Sequence, residues 1–268
     1  MAKKLGFALG AGGSRGVAHV GFLKAMEEEG IVPDYICGSS MGSVVGACYA
    51  LGHTPEFMEK EVSKLKISHI FDLSMNPVGN AALLRAKKVR AKLATYIHRH
   101  TFDDTKIPFS CVAVDLLTGK PKVFSGHEKI LDGVVASSSI PGVFKPMQYK
   151  DMLLVDGGVM VRVPIDEVRD MGAEVVVAVD VLGDIRPTRK KYHIASLIMR
   201  TAEVFDSELT KYKLLTQNPD FYLTPDLGDM SQYKLNGIDF AVEAGYKLGK
   251  EYAPKIKEAI GKKRKAKS

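Results

Sequence analysis

Ser40 lies in the stretch Cys37-Gly38-Ser39-Ser40-Met41-Gly42. The strand-like run Asp34-Tyr35-Ile36 precedes it, and the small-residue apolar run from Ser43 to Ala50 follows it. A Gly-x-Ser-x-Gly pattern where a strand turns into a helix is a candidate nucleophile elbow. The sharp turn lifts the serine hydroxyl above the sheet. Gly38 and Gly42 must then lack side chains, because the helix packs back onto the strand at close range. The five-residue pattern alone is common; the strand before it and the helix after it give it weight.

A serine nucleophile needs donors for the oxyanion and a base for its proton. The donors are sought in Gly10-Ala11-Gly12-Gly13-Ser14-Arg15-Gly16, a glycine-rich loop after the first strand. Gly12, Gly13 and Ser14 would present backbone N–H groups near a helix start, whose dipole also favours negative charge. Arg15 could support the loop or attract an anionic headgroup. Nucleotide binding is the rival use of such a loop. Counted from Gly10, however, the dinucleotide fingerprint meets Arg15 where it needs its third glycine. The Gly-Lys-Ser/Thr of a P-loop is missing as well. A purely structural turn is the third reading.

For the base, two readings stand. Asp156 follows the apolar run Leu153-Leu154-Val155, and Gly157 and Gly158 after it let another backbone come close. A partly desolvated carboxylate there gains basicity. Asp-Gly-Gly is equally an ordinary turn. His193, downstream of Asp156 and Asp180, keeps a Ser-His-Asp triad open. Against it, His193 opens a helix after a charged loop, and only one strand precedes the elbow strand, fewer than the usual triad-bearing sheet supplies. His98 and His100 sit on a basic helix and read as solvated, His19 as packed. His127 lies in a loop without a chemical neighbour.

The elements that must position these groups alternate. Residues 4–10 form a strand, 17–29 a helix closed by Gly30, 34–37 a strand and 42–51 a helix, as in a parallel sheet with helices on both faces. Thr54-Pro55 starts an amphipathic helix over 55–66, and 80–100 reads as a longer basic helix. Hairpins are expected over 109–125 and 147–155, and helices over 129–138 and 164–171. Glu174–Asp180 is the strongest buried strand. Ile194–Leu215 reads as a long helix, 221–224 as a short strand, and 238–259 as a final helix interrupted by Pro254.

The 268 residues are 46% hydrophobic and carry a net charge of +7. No apolar run approaches the roughly 18 residues of a membrane span, and the basic start, Met1-Ala2-Lys3-Lys4, does not continue as a signal peptide. Cys37, Cys48 and Cys111 lack metal-ligand spacing and read as buried thiols, which favours a cytoplasmic protein. Residues 1–261 read as one α/β domain. Residues 262–268 form a basic tail that frays into solvent or attracts anionic surfaces. No metal, cofactor or nucleic acid is expected.

Three motifs in this order, Gly10–Gly16, Gly38–Gly42 and Asp156–Gly158, resemble those of the patatin-like phospholipases. The resemblance spans about residues 5–182 and includes Ala136–Phe144. It implies a three-layer α/β/α fold with a mostly parallel central sheet and a Ser-Asp dyad without histidine. Ser40 is then the nucleophile and Asp156 the general base. Gly12, Gly13 and Ser14 line the oxyanion hole, and Arg15 matches the family's basic position. Gly38, Gly42, Gly157 and Gly158 shape the turns. Gly10-Ala11 departs from the family, which often has further glycines or an Asp there. The implied activity is that of a serine esterase or lipid acyl hydrolase, acting through an acyl-enzyme on a phospholipid or related ester, with peripheral contact to an anionic membrane surface. Acyl transfer to another alcohol is a related outcome, and a regulatory or lipid-binding protein with little turnover is the alternative. Beyond residue 182 the chain would shape the acyl pocket. Helix 194–215 could line that pocket or act as a lid, with core packing of its Met and Leu residues the simpler expectation.

Overall fold

The computed structural model describes residues 2–64, 87–187 and 194–261. Eight strands form one sheet: β1 (Leu5–Leu9), β2 (Tyr35–Ser39), β3 (Phe109–Asp115), β4 (Lys120–Phe124), β5 (Met147–Tyr149), β6 (Met152–Asp156), β7 (Val175–Val179) and β8 (Phe221–Leu223). Their order is β5-β6-β3-β2-β1-β7-β8, with β4 also paired to β3. The run β3-β2-β1-β7-β8 is parallel throughout. The hairpin strands β4, β5 and β6 are antiparallel additions beyond β3. The sheet is therefore mostly parallel, with an antiparallel end that carries Asp156.

Side chains alternate across each strand, so the strands sort into two faces. Phe7, Leu9, Ile36 and Val177 join a large core with α1 (Ala18–Glu28), α2 (Met41–Leu51) and α8 (Ile238–Gly261). Helices α3 (Pro55–Val62), α4 (Lys87–Ile97) and α5 (Ile130–Ser137) complete this layer. On the other face the strands present smaller groups, Ala8, Cys37, Val112 and Ala178, to a second core with Val163, Ile165 and Val168. Helices α6 (Ile165–Asp170) and α7 (Ile194–Gln217) cover that side. The result is the expected three-layer α/β/α fold.

Helices α1 and α8 pack at unusually close range. A Cβ on Gly21 would stand 1.8 Å from the Val242 carbonyl oxygen, and one on Gly245 would stand 1.9 Å from that of Ala18. Pairs on the rim, Lys250 to Glu28 and Glu29 and Lys257 to Glu29, close the contact. The three cysteines are free and buried. No helix among the described residues is long and apolar enough to cross a membrane.

Two expectations need correction. Pro254 does not interrupt α8, which runs unbroken from Ile238 to Gly261. Proline removes one intrahelical hydrogen bond, but Pro254 lies on the exposed side. The freed carbonyl can reach water while α1 holds the buried side. The second correction concerns α7, most of whose large apolar residues are not core, although Leu214 packs against the second core. Ile194, Leu197, Ile198, Phe205, Tyr212 and Leu215 all face solvent, whereas Asp206, Lys213 and Gln217 turn toward the rest of the chain. Periodicity identifies residues that share a helix face but not where that face points. Of the expected basic helix over 80–100, residues 87–97 are helical; residues 80–86, like His193 and the tail 262–268, lie outside the described residues.

Candidate active site

The elbow begins where β2 ends. Ser40 has φ 51° and ψ −122°, a positive-φ backbone conformation that costs a non-glycine residue about 1–3 kcal/mol and persists only where its surroundings impose it. Those surroundings are dense. A Cβ on Gly42 would lie 2.1 Å from the Leu9 carbonyl oxygen, and one on Gly38 would lie 2.5 Å from Ser43 Cα. The Ser43 hydroxyl donates to the Ser40 carbonyl at 2.6 Å, and the Ser40 N–H donates to Ser137 Oγ at 2.9 Å. The strain thus places the hydroxyl at the N-terminus of α2, whose first N–H groups have no intrahelical acceptor.

That hydroxyl donates to Asp156 Oδ2 at 2.5 Å. Asp156 ends β6, next to β3, in register with Ala113. Its N–H donates to the Ser139 carbonyl at 3.0 Å, and its Oδ1 accepts from the Gly158 N–H at 2.7 Å. The carboxyl group is almost fully buried, at 4% exposure. Burial pushes its pKa up to about 7, and the hydrogen bonds from Ser40 and Gly158 only partly oppose this. A carboxylate near neutrality, in contact with a serine hydroxyl, is suited to accept its proton. Gly157 and Gly158 are needed for fit as much as for turning. A Cβ on Gly157 would meet the Val112 carbonyl oxygen at 2.2 Å, and one on Gly158 the Ala11 Cβ at 2.9 Å.

The glycine loop joins the same place. Gly16 abuts Met41, the residue after Ser40, and Ala11 abuts Gly158. Gly13 has φ 52°, and a Cβ there would lie 2.2 Å from the Gln232 carbonyl oxygen, so both conformation and space exclude a side chain. Gly12 and Gly13 have N–H groups with no acceptor among the described residues. Ser14 differs from the expectation that it lines the oxyanion hole. Its N–H donates to the Gln232 carbonyl at 3.0 Å and its hydroxyl to the Ser231 carbonyl at 2.8 Å, so in this conformation Ser14 fastens the loop. Arg15 donates to the Leu182 carbonyl at 3.1 Å, and burial lowers its pKa; it braces the loop from behind.

The histidines among the described residues supply no base to this centre. His19 is buried, with Nε2 2.8 Å from the Gly10 carbonyl oxygen. Burial lowers its pKa to about 4, so the neutral ring donates to that oxygen and anchors the loop. His98, His100 and His127 are exposed.

Several supporting groups carry no local sequence signal. Arg162 forms a buried bidentate pair with Asp180, at 3.0 and 2.7 Å. Tyr222 donates to the same carboxylate at 2.6 Å. Arg162 also meets Asp206 of α7 at 3.4 Å, and its carbonyl accepts from the Ala11 N–H at 2.8 Å. Burial pushes Asp206 up to about 6 against the pull of Arg162, and the charge of Asp206 adds to the rise at Asp156. Lys213 of α7 donates to the Met160 carbonyl at 2.8 Å, just past the Asp-Gly-Gly turn.

The profile described as "Patatin-like phospholipase" matches residues 7–169, more than half of the chain. This chain belongs to the patatin-like phospholipase family. An uncharacterized NTE family protein of Mycobacterium tuberculosis is 32% identical over 213 residues, covering 76% of this chain and 58% of that protein. The chain thus spans a little over half the length of such relatives. The lysophospholipase NTE1 of Pyricularia oryzae is 26% identical over 96% of this chain but only 19% of its own length. In architecture the chain is similar to VipD from Legionella pneumophila, with a TM-score of 0.59 at 12% identity, covering 95% of this chain and 67% of that one. Within this patatin-like fold, Ser40 and Asp156 stand at the ends of β2 and β6, which flank β3 in one sheet, with the glycine loop beside them.

Proposed function

We propose that this chain is a serine lipid acyl hydrolase working through a Ser40–Asp156 dyad. The observation that carries the reading is the 2.5 Å hydrogen bond from the Ser40 hydroxyl to a buried carboxylate. Ser40 Oγ attacks the ester carbonyl as Asp156 takes its proton. Gly12 and Gly13 N–H groups, with the N-terminus of α2, stabilise the oxyanion. Asp156 then returns the proton to the departing alcohol, leaving an acyl-Ser40. Water, deprotonated by Asp156, releases the fatty acid in a second step of the same kind. The lysophospholipase named among the relatives supports a lipid ester as the substrate, and the basic residues of the tail would add attraction to an anionic bilayer.

Hydrolysis of short nitrophenyl esters, lysophospholipids and phospholipids tests this directly. Ser40→Ala should abolish turnover, and Asp156→Asn should lower it by about 10²–10⁴-fold, the usual contribution of a general base. Replacement of His193 should leave it unchanged. Undiminished turnover in Ser40→Ala, or dependence on His193, would overturn the dyad. A wild-type chain that binds these lipids without turning them over would point to the regulatory reading.

A further inference from the structure

The glycine loop needs support that its own sequence does not provide. Gly12 and Gly13 carry the free N–H groups at the candidate oxyanion site, yet glycine is the residue least able to hold a backbone in one conformation. Oxyanion donors are effective when they are fixed before the reaction begins. The loop is tied at its two ends, from the Ala11 N–H to the Arg162 carbonyl and from Arg15 to the Leu182 carbonyl. Between those ties, the Ser14 N–H and hydroxyl both donate to one place, the carbonyls of Gln232 and Ser231. The Gln232 carbonyl also fills the space beside Gly13 that a Cβ would need. Residues 231–232 are therefore the outer wall of the loop.

That wall is itself irregular, since residues 224–237, between β8 and α8, form neither helix nor strand. Its apolar side is held by Leu227, which is buried, and by Met230 and Leu235, which pack against the large core. Its polar side is held by α7. The Gln232 side-chain amide donates to Glu203 Oε1 at 2.8 Å and to the Tyr233 hydroxyl at 3.1 Å. That hydroxyl donates to the same Oε1 at 3.1 Å. The other oxygen, Oε2, accepts from Arg200 at 2.8 Å, and Arg200 in turn donates to the Arg186 carbonyl at 2.7 Å. One carboxylate thus gathers donors from Gln232, Tyr233 and Arg200. Burial raises the Tyr233 pKa, followed by the charges of Glu203 and then Asp156. The hydroxyl therefore stays a donor, and it lies within electrostatic range of the dyad. Glu203 stands one turn before Asp206, on the same helix face, and Asp206 meets Arg162. That face of α7 reaches the glycine loop from both sides, through Arg162 at Ala11 and through Gln232 at Ser14.

We infer that Glu203 is a positioning residue for the oxyanion donors: it holds Ser231–Tyr233, which in turn hold Gly13 and Ser14. Its catalytic consequence rests on the hydrolase reading above. Two measurements on the full chain test it together, steady-state hydrolysis of a short nitrophenyl ester and hydrogen exchange at the Ser14 amide. Glu203→Leu should lower kcat about 10–100-fold, the scale of a displacement of about 1 Å at the reacting centre. KM should change little, because these donors act on the transition state. Exchange at Ser14 should quicken at least about tenfold. Glu203→Gln keeps an acceptor for Gln232 and Tyr233 and should recover most of both effects. Gln232→Leu with Tyr233→Phe cuts the tie from the other side. It should reproduce the loss and add little to Glu203→Leu. Each rate is taken per folded chain, from the melting curve of that variant. Wild-type kcat or wild-type Ser14 exchange in Glu203→Leu would overturn the inference, as would a Glu203→Gln chain equally impaired. A loss of stability with kcat per folded chain unchanged would leave Glu203 a purely structural part and overturn it too. A wild type that turns over no ester, while Ser14 exchange still responds to Glu203→Leu, would overturn the hydrolase reading and support the anchoring.

Discussion

Helices α7 and α8 are both 24 residues long, and they cover opposite faces of the same sheet. Helix α8 buries Ala241, Val242, Leu248 and Ile256 and meets α1 backbone to backbone through glycine. Helix α7 is held largely by ion pairs and hydrogen bonds, and most of its large apolar residues face out. The dry layer fixes Ser40, because α2 and the β1–β2 strand ends crowd the elbow from that side. The polar layer fixes the turn after Asp156, through Lys213 on Met160 and through Arg162 on Asp180. The proposed dyad therefore lies on the seam between a layer built by close packing and one built by satisfied polarity. Damage to the two layers should differ in kind: the first should cost stability alone, the second stability together with the chemistry.

The strongest way to break this contrast is Arg162→Met. It leaves the buried Asp180 carboxylate without its cation, a loss of about 3–5 kcal/mol, and it disturbs the segment that holds Ala11. Denaturant unfolding should show the drop in stability, and ester hydrolysis should fall further than the folded fraction explains.

Asp156→Asn should act in the opposite direction on stability. The folded pKa of Asp156, about 7, lies above its ordinary value of 3.8, so the native state binds the proton more tightly. The resulting penalty is absent below the unfolded pKa and grows as pH rises from about 4 to 7. A shift of this size corresponds to about 4 kcal/mol at most. Asp156→Asn should therefore melt higher than the wild type at pH 8, and the gain should disappear near pH 4. An equal effect at both pH values would show that the carboxyl group is not desolvated as described.

In the dry layer, Gly245→Leu drives a side chain into the Ala18 carbonyl and should cost about 3 kcal/mol, read by thermal melting. The protein that remains folded should hydrolyse esters with an unchanged pH midpoint. The smallest effect is expected from Asp206→Asn. Removing that charge lowers the Asp156 pKa, so the activity midpoint should move to the acid side, while a purely structural role would change the rate without moving the midpoint.

Much of this arrangement was legible along the chain. Glu174–Asp180 encloses an unbroken apolar run and becomes the buried interior strand β7. The glycines at 38 and 42 and at 157 and 158 mark close backbone approaches, because no other residue leaves enough space. What escaped is what depends on distant partners. Asp180 and Asp206 stand 18 and 44 positions from Arg162, and nothing local links them. Ser14 reads as an oxyanion donor until the chain returns at Gln232 to occupy its N–H. The outward face of α7 escaped for a related reason, since a helical stripe of Ile, Phe and Leu has the same spacing whether it meets a core or water.

The most direct test of the central claim is the pH dependence of fluorophosphonate labelling, which follows attack by the serine without involving a leaving lipid. The wild type should label at Ser40, with a rate that rises through about pH 7 as Asp156 loses its proton. Asp156→Asn should label far more slowly, with no such rise. Labelling of Ser40→Ala at the wild-type rate, or a pH profile that survives Asp156→Asn, would contradict the dyad.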